Sequence, residues 1–401
     1  MLKGLNVLSN TPALPLQMAP GGEPSFLLDC IRHFFRPCVP LPIPADLDWA
    51  RLLAIANGHS VESLLYSALR DGGADAVPPA ILSQLKERFR NTAHTNLALT
   101  AELAGILSSL ERAEIDVCAL KGPVLAEMLY GNVAMRSFAD LDLFVHPQDF
   151  VRTKKALEAG GYSLGSSLHW PCDSALLRAR ESQLSFQNSR GVSVDVHWHL
   201  IPHYWPEPFD ENDAWTGRRT VLLGGVTART LSRERLLLFL CAHGAQHTWA
   251  RFGWICDVAR LIQVETNMDW LYVFAQARQI GTSRMLSLGL RLAGDLLEGE
   301  LPPEAKEWVA HEPQTQELEM AIRKRFLDCV PFPAPALESA RLSVRICDRT
   351  NHRLRFLFGT LIAPSEAEFG ALPLPPALFS LYYLFRPLRL IAKYLGQVLK
   401  G

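Results

Sequence analysis

The sequence predicts an α+β protein in which a small mixed sheet carries packed helices and is flanked by helical regions on both sides. Three observations lead there. From Pro24 to about Glu114, apolar residues recur at helical spacing. Between Ile115 and Trp198, short β-branched or alternating runs are separated by Gly, Pro and Asn. Beyond about Leu231 the helical spacing returns and persists. The expected division is a flexible N-terminus over 1–23, a helical region over 24–114, a sheet-bearing core over 115–230 and a helical region over 231–401.

In the N-terminal region the helical pattern is carried by Leu52, Leu53, Ile55 and Ala56, then Val61, Leu64, Leu65 and Ala68, and later Leu103, Ile106, Leu107 and Leu110. At Ile115 the pattern changes to the strand-like run IDVCAL, which ends at Lys121-Gly122-Pro123, a turn that opens a helix. That helix closes at Gly131. LDLFVHP then alternates as a strand stopped by Pro147, and a helix from about Gln148 to Ala159 ends at Gly160-Gly161. Gln183–Gln187 and Val192–Trp198 are the next strands, divided by the turn residues 188–191. In the C-terminal region RERLLLFLCAHGAQHTW, WICDVARLIQV and WLYVFAQARQIG read as successive helices, broken later by Pro302-Pro303 and by Pro331–Pro335.

Composition narrows the class. At 401 residues, 48% of them hydrophobic and 20% charged, the chain has enough apolar surface for two or three packed units. With 40 basic and 41 acidic side chains there is no global positive field for a nucleic-acid backbone. The eight cysteines (Cys30, Cys38, Cys118, Cys172, Cys241, Cys256, Cys329, Cys347) show no CxxC pair and are expected to be reduced, buried thiols in a cytoplasmic protein. Pro12, Pro15 and Pro20 interrupt any signal-peptide core, and no run of 18 apolar residues marks a transmembrane helix.

The chemistry concentrates in residues 120–145. Asp140 and Asp142 lie two apart on a predicted strand, so their side chains leave the same face with α-carbons roughly 7 Å apart. Beside Leu141, Leu143, Phe144 and Val145, two such carboxylates call for a counterion. Magnesium or manganese suits them, because hard divalent ions prefer carboxylate oxygens and keep positions open for phosphates. Asp195, in VSVDVHWHL, alternates onto one face with His197 while Val194 and Val196 take the other. Should the two strands be neighbours, Asp140, Asp142 and Asp195 would hold two ions roughly 3.5 to 4 Å apart for in-line displacement, with Asp195 also placed as general base.

The order strand, Gly-containing turn, helix, R-x-x-x-DLDLFV and then VDVHWHL resembles the nucleotidyltransferase superfamily, specifically a poorly characterised bacterial branch, from about Leu120 to Trp270. The resemblance implies that Asp140, Asp142 and Asp195 are the metal-binding catalytic carboxylates and that the Lys121-Gly122 turn holds triphosphate. Lys121 stands where the superfamily has a small residue. An ammonium at a helix N-terminus adds a cation beside N–H donors that already favour anions, so Lys121 is expected to bind nucleotide directly. Arg136, four residues before Asp140, is expected to support the carboxylates or reach a phosphate. The expected activity is transfer of a nucleoside monophosphate from a nucleoside triphosphate, such as ATP, to an unknown acceptor, which a small molecule, a peptide or RNA would each satisfy. The alternative is an inactive nucleotide-binding or interaction protein in a biosynthetic or export assembly.

Other groups enter as substrate contacts. His197 is expected to orient Asp195, while Tyr130 and Trp198 are read as core or base-stacking platforms. His243 and His247, four apart on one helical face, are expected to face the cleft with Arg251. With Asp257 they also frame a metal-hydrolase reading, although the Glu of HExxH is replaced by Gly244. The C-terminal run FSLYYLFRPLRLIAKYLGQVLKG, with Arg386, Arg389, Lys393 and Lys400, suggests a helix interrupted at Pro387 that would contact an anionic membrane or a partner peripherally.

Overall fold

The computed structural model describes residues 22–37, 41–164, 182–328, 336–364, 366–372 and 374–398. The expected flexible N-terminus lies outside them apart from its last two residues, as do Cys38, Cys172, Cys329 and Lys400. The N-terminal region forms α1 (Glu23–Phe35), α2 (Trp49–Gly58), α3 (Glu62–Gly72) and the long α4 (Pro79–Arg112). Asp48 caps α2 by accepting the Arg51 N–H. The central part reads β1 (Val117–Ala119), α5 (Gly122–Tyr130), β2 (Asp140–Val145), α6 (Phe150–Ala159), β3 (Tyr162–Leu164), β4 (Gln183–Asn188), β5 (Ser193–His197), β6 (Arg219–Leu223) and β7 (Val226–Thr230). Helices follow as α7 (Arg233–Gln246), α8 (Phe252–Val264), α9 (Trp270–Ile280), α10 (Ser283–Arg291), α11 (Pro303–Ala310), α12 (Gln314–Leu327), α13 (Ala336–Ile346), α14 (Thr350–Leu361), α15 (Glu366–Ala371) and α16 (Tyr382–Val398). The α+β class is therefore observed.

Five strands form a mixed sheet in the order β1-β2-β5-β4-β3. Its one parallel pair is β2 with β5; β1 with β2, β5 with β4 and β4 with β3 run antiparallel. β6 and β7 form a separate hairpin that the strand pattern up to Trp198 did not anticipate. VLLGGVTAR carries its signal, two alternating runs around a Gly-Gly turn. Arg218 and Arg229 at its base both donate to the carboxylate of Asp116, just before β1.

Each face of the sheet meets a different core. Leu141, Leu143 and Val145 of β2, Val194 and Val196 of β5, and Leu184 and Phe186 of β4 pack against α4 and α6. A second apolar core runs continuously from α1–α3 through Leu120, Leu125 and Phe144 to the C-terminal helices. The N-terminal and C-terminal helices thus bury side chains in one shared core although far apart in sequence. His59, after α2, helps to join them: its Nδ1 accepts the Phe252 N–H at 3.3 Å, and its ring lies 4.9 Å from that of Phe326.

That contact has a pH signature. Burial, and then the Arg251 charge, push His59 down to about 4. A folded pKa below the unfolded value means that the unfolded chain binds the extra proton between about pH 6.5 and 4, so stability falls as pH drops through that window. For a half-buried ring the loss is roughly 2 kcal/mol. Urea denaturation at pH 7 and pH 5 is expected to show the drop, and His59→Asn, which keeps a hydrogen-bond acceptor, to reduce it.

α16 continues through Pro387 rather than breaking there. Proline in the second turn removes one backbone hydrogen bond and leaves the later turns intact. Arg386 and Arg389, expected to face anionic lipid, both close on the buried carboxylate of Glu368 at 2.8 and 2.5 Å. Leu384, Leu388 and Ile391 are exposed on the same helix. No helix of the described residues is long and apolar enough to cross a membrane. Cys30, Cys118, Cys241, Cys256 and Cys347 are free and buried.

Candidate active site

Strand alternation builds a polar face on the sheet. With Leu141, Leu143, Val194 and Val196 committed to the core beneath, Asp140, Asp142, Asp195 and His197 leave the opposite side. The parallel register sets Asp142 directly opposite Asp195 and Asp140 opposite Ser193, while the antiparallel β4 sets Ser185 opposite Asp195 and Gln183 opposite His197. Ligand atoms of Asp142, Asp195 and His197 lie within 4.8 Å of one another. Asp140 stands two pairs away along the ladder and is outside this group.

Asp142, Asp195 and His197 are each held by a neighbour. Asp142 Oδ1 accepts from the Lys121 ammonium at 2.8 Å and lies 3.0 Å from His197 Nε2. His197 therefore bonds Asp142 and not, as its spacing suggested, Asp195, although in the parallel register it stands two pairs beyond both. Asp195 accepts instead from Gln183 Nε2 at 2.6 Å and Ser185 Oγ at 2.5 Å. These two β4 residues were not singled out in the sequence. Their signal was the alternation of QLSFQ, which puts Gln183 and Ser185 on the polar face.

Charge is unevenly compensated. Burial would raise Asp142, yet the Lys121 ammonium and the His197 hydrogen bond outweigh it and hold the carboxyl well below its ordinary range. Asp140 is pushed up to about 6, chiefly by the neighbouring Asp142 charge and then by burial, with Lys121 opposing. Burial also works against Lys121, but Asp142 and then Asp140 keep it charged. A hard divalent cation fits this donor set: two carboxylates side by side, an imidazole, and a third carboxylate made more basic by crowding. The buried His197 Nδ1 has no hydrogen-bond partner among the described residues.

Lys121 is placed by backbone. The Leu120 N–H donates to the Asp142 carbonyl at 3.0 Å, extending the β1–β2 ladder so that Lys121 arrives beside β2 as the residue capping α5. Gly122 follows at φ +56°, in the left-handed region, where a Cβ would stand 3.4 Å from the Asp140 carbonyl oxygen. The space is ordinary but the dihedral is not. Gly122→Ala is expected to cost about 1 kcal/mol in urea denaturation and to turn the first N–H groups of α5 away from the carboxylates.

Arg136 does not reach the β2 carboxylates. Its Nε and Nη2 close on both oxygens of Asp257 in α8 at 3.0 to 3.1 Å, and the pair is nearly inaccessible to solvent. Asn96, buried within α4, holds the loop that carries it by donating to the carbonyls of Val133 and Arg136. Arg260 of α8 donates to the Leu129 carbonyl of α5 at 2.8 Å. α8 is thus clamped beside the sheet.

At the junction of α7 and α8 the rings of His243 and His247 lie 4.7 Å apart, each within 5.3 Å of Trp254, over which the Arg251 guanidinium sits at 5.8 Å. Burial first, then the Lys121 charge, push His243 well below its ordinary value and His247 to about 4, so both rings are neutral. The Lys121 charge that acts on both rings belongs to the side chain that pairs with Asp142. Asp257 is committed to Arg136, and among the described residues it forms no ligand group with the two histidines. Trp198 is a core residue against the Phe150 ring, and Tyr130 is half-buried with its phenol raised well above its ordinary value by burial and then by Asp257. A second ligand-type group, His199, Glu207 and Glu211, lies in the segment after β5. Glu211 there takes the Leu200 N–H and sits 2.8 Å from His199 Nδ1, which ties that segment down.

A family model described as "Uncharacterised nucleotidyltransferase" matches residues 45–298, more than half of the chain. A solved structure, the crystal structure of an antigenic nucleotidyltransferase-like protein from Paracoccidioides brasiliensis, is similar over 53% of this chain and 97% of that one, with 16% identity and a TM-score of 0.31. No curated protein matches the chain.

Proposed function

The chain belongs to the family of uncharacterised nucleotidyltransferases, and from that premise we propose that it transfers a nucleoside monophosphate from a nucleoside triphosphate to an acceptor, releasing pyrophosphate, in a reaction that needs magnesium or manganese. The observation that carries this reading is the pairing of Asp142 with Asp195 on one face of a parallel strand pair, with Lys121 and the N-terminus of α5 beside them.

Asp142, Asp195 and His197 would hold the ion, with Asp140 beside them. When bound, a divalent cation neutralises the triphosphate and aligns the attacking and leaving oxygens. The N–H groups at the start of α5 and the Lys121 ammonium hold phosphate oxygens. Asp195, oriented by Gln183 and Ser185, receives the proton of the acceptor group. The neutral His243 and His247 and the Arg251–Trp254 pair contact the base or the acceptor. The remaining work is positioning, which suits phosphoryl chemistry with little covalent demand on the protein.

Calorimetry with each of the four nucleoside triphosphates in magnesium or manganese tests this reading. Binding that requires metal and is lost in Asp140→Asn/Asp142→Asn is the expected result. Failure of the folded protein to bind any triphosphate sinks the proposal. A second reading, a protein that binds nucleotide without turnover, is favoured by the Lys121 ammonium lying on Asp142 Oδ1. Metal-dependent binding without pyrophosphate release in the presence of candidate acceptors would select it.

A further inference from the structure

One oxygen of Asp142 is already engaged by a cation. Lys121 Nζ lies 2.8 Å from Oδ1, with only 2% of the Asp142 side chain and 15% of the Lys121 side chain exposed. An ion bound to that oxygen would sit within a few ångströms of the ammonium, where like charges repel as strongly as the ion pair attracts. Lys121 cannot simply swing into water either, since Asp140 and Asp142 both draw it inward and its stem is largely buried.

The neighbouring carboxylate is treated differently. Asp195 is held by the neutral donors Gln183 and Ser185, which orient it without supplying positive charge. Lys121 thus has the place and the charge of a resident ion. Its backbone adds an exit, because it caps α5, whose Gly122 N–H follows it directly and whose Val124 N–H comes next, Pro123 having none. A polyphosphate docked on those groups would lie within reach of the same ammonium and offer it a stronger anionic partner than one carboxylate.

We propose that Lys121 is an internal cation that keeps divalent ions off Asp142 until the phosphates of a nucleotide draw it away, so that ion uptake is conditional on nucleotide. The inference rests on the reading of Asp142 and Asp195 as a cation site. By linkage, nucleotide raises ion affinity by the same factor as the ion raises nucleotide affinity. Lys121 is then a positioning residue that sets the order of assembly.

The test is Mn2+ binding without nucleotide, read from the electron paramagnetic resonance signal of free Mn2+, so that no activity is needed. The unaltered protein and Lys121→Arg, which keeps the positive charge, are expected to bind Mn2+ weakly. Lys121→Met is expected to bind it at least tenfold more tightly, and Asp195→Asn in the Lys121→Met background to lose that gain. If Lys121→Met does not fold, Lys121→Gln serves in its place. Mn2+ binding by the unaltered protein as tight as that of Lys121→Met overturns the gate while leaving the cation site standing. No Mn2+ binding by Lys121→Met also overturns it, and if the unaltered protein then takes up no Mn2+ with nucleotide, the cation site falls as well.

Discussion

Asp142→Asn is expected to abolish metal-dependent nucleotide binding and to lower any transfer activity by about a thousandfold or more, the equivalent of several kcal/mol of transition-state stabilisation. Asp142 Oδ1 is the point at which Lys121 and His197 converge, and Asp195 stands directly opposite. An amide there retains the shape but removes the charge on which Lys121 and His197 depend. The fold should survive with a smaller loss of stability, because Asp140 remains as an anionic neighbour for Lys121. Titration calorimetry with manganese and triphosphate, paired with urea denaturation, separates the two effects. A variant that binds metal and nucleotide as the unaltered protein does would remove Asp142 from the site.

Arg136→Met is expected to be among the most destabilising single changes outside the main core, at roughly 3 to 5 kcal/mol, because it leaves the Asp257 carboxylate buried without a cation. The pair is bidentate and almost fully enclosed, so solvent cannot take over the lost contacts. Asp257→Leu strands the guanidinium and should cost nearly as much. Arg136→Met/Asp257→Leu is expected to cost clearly less than the two single changes added together, since the penalty belongs to the unpaired charge more than to the lost pair. Urea denaturation of all four proteins completes the cycle. Costs that simply add would show that the pair is not coupled and that α8 is held by its apolar contacts alone.

Much of this arrangement could be read along the chain, since alternation and turn chemistry are local. The period of two in DLDLFV and VDVHWHL puts Asp140 with Asp142, and Asp195 with His197, on polar faces whatever the strands pair with. Lys121-Gly122-Pro123 marks a strand-to-helix turn by the same local logic, and Gly122 does take a positive φ. The hairpin of β6 and β7 is equally legible in its Gly-Gly turn. Pro387 costs α16 one hydrogen bond, too little to end the helix there.

Partner choice was not legible, because it joins residues tens to more than a hundred positions apart. Nothing local says that β5 lies parallel to β2 in the register that sets Asp195 against Asp142, or that β4 follows it and supplies Gln183 and Ser185. Arg136 had carboxylates four and six residues ahead, yet it closes on Asp257, 121 residues away, because α8 packs across its loop. Lys121 was equally suited to a phosphate or a carboxylate. Spacing along a strand or helix determines which face a side chain takes, and that much belongs to the sequence. Which charge it meets there depends on how strands and helices dock, because desolvation and pairing energies are settled only once those elements come together.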